Sequence, residues 1–185
     1  MSIYNPKHNV VFIHVPKTAG TSMESRKFLG GGGHKTAAMI REGIGQEAWE
    51  SAFKFAFVRD PLQRIVSLYY HLMRQHNGMS FVEYVRKSAR QGPRRDWKQH
   101  ASLQSHFLCD EDGSLLVDFV GRYHKLVADW RHVCEAVGVD GHLPHKRRGR
   151  STDYSDRHTE ETRALTRQLY ARDYELLGKY FPQER

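Results

Sequence analysis

The clearest hydrophobic run in the chain is NVVFIHV, Asn9 to Val15. Its β-branched, almost unbroken apolar character predicts a strand buried on both faces, as in a parallel sheet. FKFAFV, Phe53 to Val58, predicts a second such strand, and LLVDFVGRY, Leu115 to Tyr123, a third. Between them the period changes from two to about 3.6. A short helix is expected from Thr21, and a longer one from Lys35 to about Gly43. Asp60-Pro61 reads as an N-cap followed by proline at the first helical position. Leu62, Ile65, Val66, Tyr69 and Met73 then recur at helical spacing. Ser80 and Glu83 form a capping box ahead of Val82, Val85 and Ala89, and Gly92-Pro93 ends that helix. Leu126, Trp130, Val133, Cys134 and Val137 mark a further helix stopped by Gly138. Thr159 caps a final one running through Leu165, Leu169, Leu176 and Leu177. Strands alternating with helices predict an α/β fold, a parallel sheet with flanking helices. Ligands of such sheets bind beyond the C-terminal strand ends.

Two stretches fall at those ends. PKTAGTS, Pro16 to Ser22, follows the first strand with a lysine, a glycine and three hydroxyls. Gly20 permits a tight turn or close approach of a ligand, and the following amides and Lys17 favour an anion. A Walker A loop needs lysine directly after its second glycine. Here Lys17 precedes Gly20 and no earlier glycine exists in the loop, so a nucleoside triphosphate is not the expected ligand. RDP, Arg59 to Pro61, ends the second strand. Arg64, Ser67 and His71 share a face of the helix that follows, so that guanidinium and hydroxyl donors can converge near the strand end.

Length and charge narrow the reading. A chain of 185 residues suits one domain spanning 1–185. Apolar residues make up 39% and charged ones 27%, which fits a globular protein. The net charge of +8 favours anionic partners. Its dense segments, 86–98 and 145–150, lack the aromatic interleaving of a single-strand nucleic-acid platform, so no nucleic acid is expected. No apolar run approaches the roughly 20 residues that span a bilayer. The N-terminus lacks the build of a secretory signal, so the cytoplasm is the expected location. Cys109 and Cys134 are too few for a disulfide framework and read as reduced core residues. His71 with His76, and His142 with His145, are two-ligand pairs without a convincing third, so no metal is expected.

FIHVPKTAGTS closely resembles the 5′-phosphosulfate loop of sulfotransferases that use 3′-phosphoadenosine 5′-phosphosulfate (PAPS). The likeness is strongest to the carbohydrate group related to heparan and chondroitin 2-O-sulfotransferases, with bacterial members. It implies a P-loop NTPase-like sulfotransferase fold. It also implies that Lys17, Thr18, Ala19, Gly20, Thr21 and Ser22 hold the 5′-phosphosulfate. FAFVRDPLQRIVSLYY resembles the family's 3′-phosphate site, with Arg59 and Ser67 in the matching places. DFVGRYHKLVADW is similar to the family's distal portion. The resemblance implies an acceptor hydroxyl on a carbohydrate, and the net charge is compatible with an anionic glycan in that role.

A base must take the acceptor's proton, and histidine suits that role. Twelve histidines compete. His34 lies after a glycine run and between the two motifs, the interval that holds the family's catalytic histidine. His14 is the second candidate. Lys17 is the expected stabiliser of the leaving phosphate. Arg147, Arg148 and Arg150 are equally readable as an anion clamp or as a solvated loop. The rival readings are an atypical P-loop kinase, with Asp60 as a metal-binding acid, and a non-catalytic binder of anionic polymers.

Overall fold

A computed structural model describes residues 4–26, 28–29, 33–72, 78–93, 99–143 and 155–182. Its centre is one sheet of four strands: β1 (Tyr4–Asn5), β2 (Val10–Ile13), β3 (Phe53–Val58) and β4 (Phe119–Arg122). They lie in the order β1-β2-β3-β4. β2, β3 and β4 are mutually parallel, with Ile13 beside Ala56 and Val58 beside Arg122. The three predicted strands are therefore present as an α/β sheet. β1 is an addition the hydrophobic pattern does not reveal, a two-residue antiparallel edge beside β2.

Alternation along each strand divides the core. Val11, Ile13, Ala56 and Val58 face one layer with Phe107, Leu108, Leu177 and Phe181. Val10, Phe12, Phe55 and Phe57 face the other with Met23, Trp130 and Val133. Both faces are thus covered, which is why these strands read as continuous apolar runs. Lys54 is the polar exception in β3. Its ammonium donates to the Trp49 and Ala52 carbonyls at 3.1 and 2.7 Å and pairs with Asp118 at 3.0 Å. A third cluster, with Ile65, Val66, Leu68, Tyr84, Val85 and Leu169, joins the helices beside the sheet.

Nine α-helices occur among the described residues: α1 (Gly20–Glu24), α2 (Ala37–Ile44), α3 (Gln46–Ser51), α4 (Pro61–Leu72), α5 (Phe81–Gln91), α6 (Ser105–Leu108), α7 (Leu126–Val137), α8 (Glu160–Leu169) and α9 (Ala171–Leu177). The cap signals hold. Asp60 Oδ1 accepts the Gln63 amide at 3.2 Å, the Ser80–Glu83 capping box is complete, and Gly138 ends α7 in the left-handed region at φ 72°. Thr159 caps α8 by accepting the Thr162 amide at 3.2 Å. The expected single final helix is instead two, because the chain turns at Tyr170. The expected strand from Leu115 is shorter: Leu115 makes only an isolated bridge to Cys109, and the ladder begins at Phe119. α3 and α6 are short and were not predicted. Cys109 and Cys134 are free thiols, and burial pushes each up to about 11. No described helix is long and apolar enough to cross a membrane.

Candidate active site

The parallel register sets the C-terminal ends of β2, β3 and β4 side by side. The chain leaves β2 through His14, Val15 and Pro16, all buried, and enters α1 at Gly20. Between these points Lys17 and Ala19 adopt left-handed backbone, φ 71° and 73°. That region costs a non-glycine residue about 1–2 kcal/mol. Two such residues flanking Thr18 bend the loop sharply, the kind of backbone that turns successive amides toward an anion. Thr18 is fully buried, and its hydroxyl donates to the Val15 carbonyl at 2.8 Å. It clamps the loop onto the strand, and only its amide can serve a ligand. Ser22 and Thr21 lie on α1, half-buried and exposed.

Gly20 has a spatial reason. A Cβ built there would stand 2.0 Å from His14 Nε2. The His14 ring lies against this glycine and stacks on Phe12 at 5.6 Å between centroids. Its Nδ1 donates to Glu24 Oε1 at 2.8 Å, which ties the end of α1 back to the strand. His14, the second base candidate, is thereby built into the foundation of the loop.

His34 sits beside it, with ring centroids 4.4 Å apart. His34 Nδ1 lies 3.0 Å from the His14 carbonyl oxygen. A carbonyl only accepts, so Nδ1 carries the proton and Nε2 of the neutral ring holds the lone pair. Burial lowers the His34 pKa from its usual 6.5, outweighing the hydrogen bond to His14, which raises it. The ring is therefore neutral near pH 7 and can accept a proton.

At the end of β3, Arg59 is buried. Gln104 brackets its peptide: the Arg59 amide donates to Gln104 Oε1 at 2.9 Å, and Gln104 Nε2 donates to the Arg59 carbonyl at 2.8 Å. The Arg59 guanidinium lies 4.0 Å over the ring of Tyr123, the residue that follows β4. Ser67 is half-buried on α4, two turns from Arg59. Arg64 departs from the expected phosphate fork. It is buried, Nε donates to the Pro16 carbonyl at 3.1 Å, and Nη2 donates to the His100 and Ser102 carbonyls at 3.1 and 2.8 Å. This guanidinium fastens α4 to the first loop and to the segment around residue 100. The reason is burial: three carbonyls compensate a charge withdrawn from water.

That segment contains residues the motifs do not point to. His100 lies 5.0 Å from His34 and 5.1 Å from His71 between ring centroids. His14, His34, His100 and His71 form a row at the loop. No spacing in the sequence signals His100 or Gln104, because each is brought in from another element, and Glu24 on α1 lies just past the loop motif. Among the described residues no group of three or more His, Cys, Asp or Glu could hold a metal ion. His76, His145, Arg147, Arg148 and Arg150 lie outside the described residues.

Comparison with known proteins places the chain in a family. The family model described as "Sulfotransferase family" matches residues 1–180. A protein of Archaeoglobus fulgidus described as uncharacterized is 28% identical over 109 residues, covering 58% of this chain and 85% of its own length. No solved structure matches the chain. With the family model extending from the first strand through the last described helix, the chain belongs to the sulfotransferase family.

Proposed function

We propose that the chain transfers a sulfuryl group from PAPS to a carbohydrate hydroxyl. The family supports sulfuryl transfer in general. The observation that carries the reading is the 3.0 Å contact between His34 Nδ1 and the His14 carbonyl. It joins a neutral imidazole, its Nε2 lone pair available, to the strand that carries the anion loop. A binding module needs the loop but has no use for a base fixed beside it.

The residues fit the donor. The loop bent at Lys17 and Ala19, with the amides of 18–22, suits the 5′-phosphosulfate. Arg59 and Ser67 are assigned to the 3′-phosphate. His34 Nε2 takes the acceptor hydroxyl's proton as its oxygen bonds to sulfur. The bond from sulfur to the phosphate oxygen breaks, and Lys17 offsets the charge left on that phosphate. By analogy with phosphoryl transfer, placement and electrostatics carry most of the acceleration. The net charge of +8 is compatible with an anionic glycan as acceptor. Asp60, which a kinase would need on a metal, is engaged in capping α4.

Thermal shift tests the donor assignment. Adenosine 3′,5′-bisphosphate without metal should raise the melting temperature, since a ligand of the native state stabilises it. AMP should do markedly less. Equal shifts would remove the dedicated 3′-phosphate site, and a response to ATP with Mg²⁺ alone would favour a kinase. Transfer is then measured with radiolabelled PAPS on a panel of glycans.

A further inference from the structure

His100 is the least accounted-for group near the loop. It lies in a short 3-10 turn, Gln99–Ala101, far in sequence from both phosphate motifs. Its ring meets His34 at 75° and His71 at 50°, so it stands between a residue of the glycine-rich loop and the last turn of α4. Its backbone is fixed by Arg64 Nη2, which donates to its carbonyl and also to that of Ser102. The same guanidinium holds the Pro16 carbonyl at the start of the anion loop through Nε. One buried side chain thus sets the distance between His100 and the loop.

The ring's two nitrogens are in different positions. Nδ1 is enclosed with no hydrogen-bond partner among the described residues. Nε2 is therefore the nitrogen through which the ring can meet a ligand. An enclosed N–H with no acceptor is costly. The neutral ring thus carries its proton on Nε2, as a donor. Burial first, then the charges of His34, His71, Lys17 and Arg64, push its pKa down to about 4. The ring stays uncharged across the neutral range. Its lone pair sits on the enclosed Nδ1, out of an acceptor hydroxyl's reach, so it does not share the base role of His34.

Resting on the function proposed above, we infer that His100 is a sulfonate-binding residue: its Nε2–H donates to a non-bridging oxygen of the transferring group. This makes His100 a residue that tells the loaded donor from the spent one. The spent nucleotide has lost the group that His100 would hold. Loss of this bond should weaken loaded donor while leaving adenosine 3′,5′-bisphosphate untouched. No proton moves through His100 in the transfer, and His34 alone receives the one from the acceptor.

The test compares two equilibrium affinities. His100→Ala should raise the Kd for PAPS about tenfold, the loss expected of a hydrogen bond to a charged group. The Kd for adenosine 3′,5′-bisphosphate should stay unchanged. His100→Gln, which keeps an N–H donor, should recover part of the PAPS affinity. Equal weakening of both nucleotides, or of neither, overturns the inference. Should the alanine variant fail to fold, nitrogen NMR of the wild-type histidines decides. PAPS should shift the His100 Nε2 resonance and adenosine 3′,5′-bisphosphate should not. If PAPS moves the Gly20 amide but leaves His100 unmoved, the sulfonate role is wrong while the donor assignment stands. If neither nucleotide perturbs Gly20, the donor assignment fails and the inference with it.

Discussion

At the scale of single residues, the loop depends on a contact that its motif does not explain. Gly20 would be expected to serve chain flexibility or ligand approach, but its first duty is to leave space for His14. Gly20→Ala must displace an imidazole held on one side by Phe12 and by Glu24 through Nδ1. Overpacking of this kind costs about 1–3 kcal/mol. The variant should unfold at lower denaturant with an unchanged slope, and should bind adenosine 3′,5′-bisphosphate less tightly. Wild-type stability and affinity would show that the ring yields freely. His34 makes a second residue-scale case. Its lowered pKa means that the neutral form predominates down to a pH below the ordinary 6.5. The transfer rate should therefore rise with pH through a value under 6.5 and then level. His34→Ala should leave nucleotide binding intact, lower transfer by ~10²-fold or more, and abolish that rise. Near-wild-type transfer by the variant at pH 7 would move the base elsewhere.

At the scale of elements, the second phosphate site is held from behind by helices distant in sequence. Asp173 on α9 is fully buried and accepts from the Gln104 amide at 2.9 Å and from the Ser105 amide and hydroxyl, each at 2.8 Å. Gln104 in turn brackets the Arg59 peptide at the end of β3. α9, α6 and the end of β3 are thus linked through Gln104, its backbone amide held by Asp173 and its side chain holding Arg59. Gln104→Ala leaves the Arg59 amide and carbonyl buried without those partners, at a cost of roughly 1–3 kcal/mol for each group left unsatisfied. The expected outcome is a lower melting temperature, and weaker binding of adenosine 3′,5′-bisphosphate with little change for AMP. An equal loss for both nucleotides would separate Gln104 from the 3′-phosphate. The legibility of the sequence follows the same division. β2, β3, the Asp60 cap, the Ser80–Glu83 box and the Gly138 stop are encoded by neighbours within a few positions, and each was readable. The loop and the RDP motif were readable for the same reason. The two-residue β1 lacks a pattern long enough to have a period. Tyr170, which breaks the last helix, is fully buried and was indistinguishable from another core position. Arg64 read as an exposed donor because a polar residue opposite an apolar stripe ordinarily faces water. Its carbonyl partners lie 48, 36 and 38 positions away.

At the scale of the whole molecule, charge and partly desolvated imidazoles together fix the response to acid. The chain carries +8 with its histidines neutral, so each proton it gains adds to an existing excess. Burial is the leading cause that lowers the pKa of His34, His100, His124 and His158. Those groups resist protonation when folded and accept it at about 6.5 when unfolded. The unfolded chain therefore binds more protons as the pH falls below 6.5, and stability must decline in that direction. For His100 the window closes near pH 4, where the folded form also protonates. Carboxylates act in a separate and lower window. Hydrogen bonds from Ser80 and Arg86 lower the pKa of Glu83 and Glu161; at Asp129 burial raises it, but the bonds from Arg122 together outweigh burial and lower it, and these contributions disappear only below the usual 4.5 or 3.8. The melting temperature should accordingly be level above pH 6.5 and already fall between 6.5 and 4.5, above the window in which these carboxylates are lost. His100→Gln removes one of the four titrating groups and should make that decline shallower while leaving the carboxylate window unchanged. A melting temperature that stays constant from pH 7 to 5 and drops only below 4.5 would show that these imidazoles do not govern acid stability.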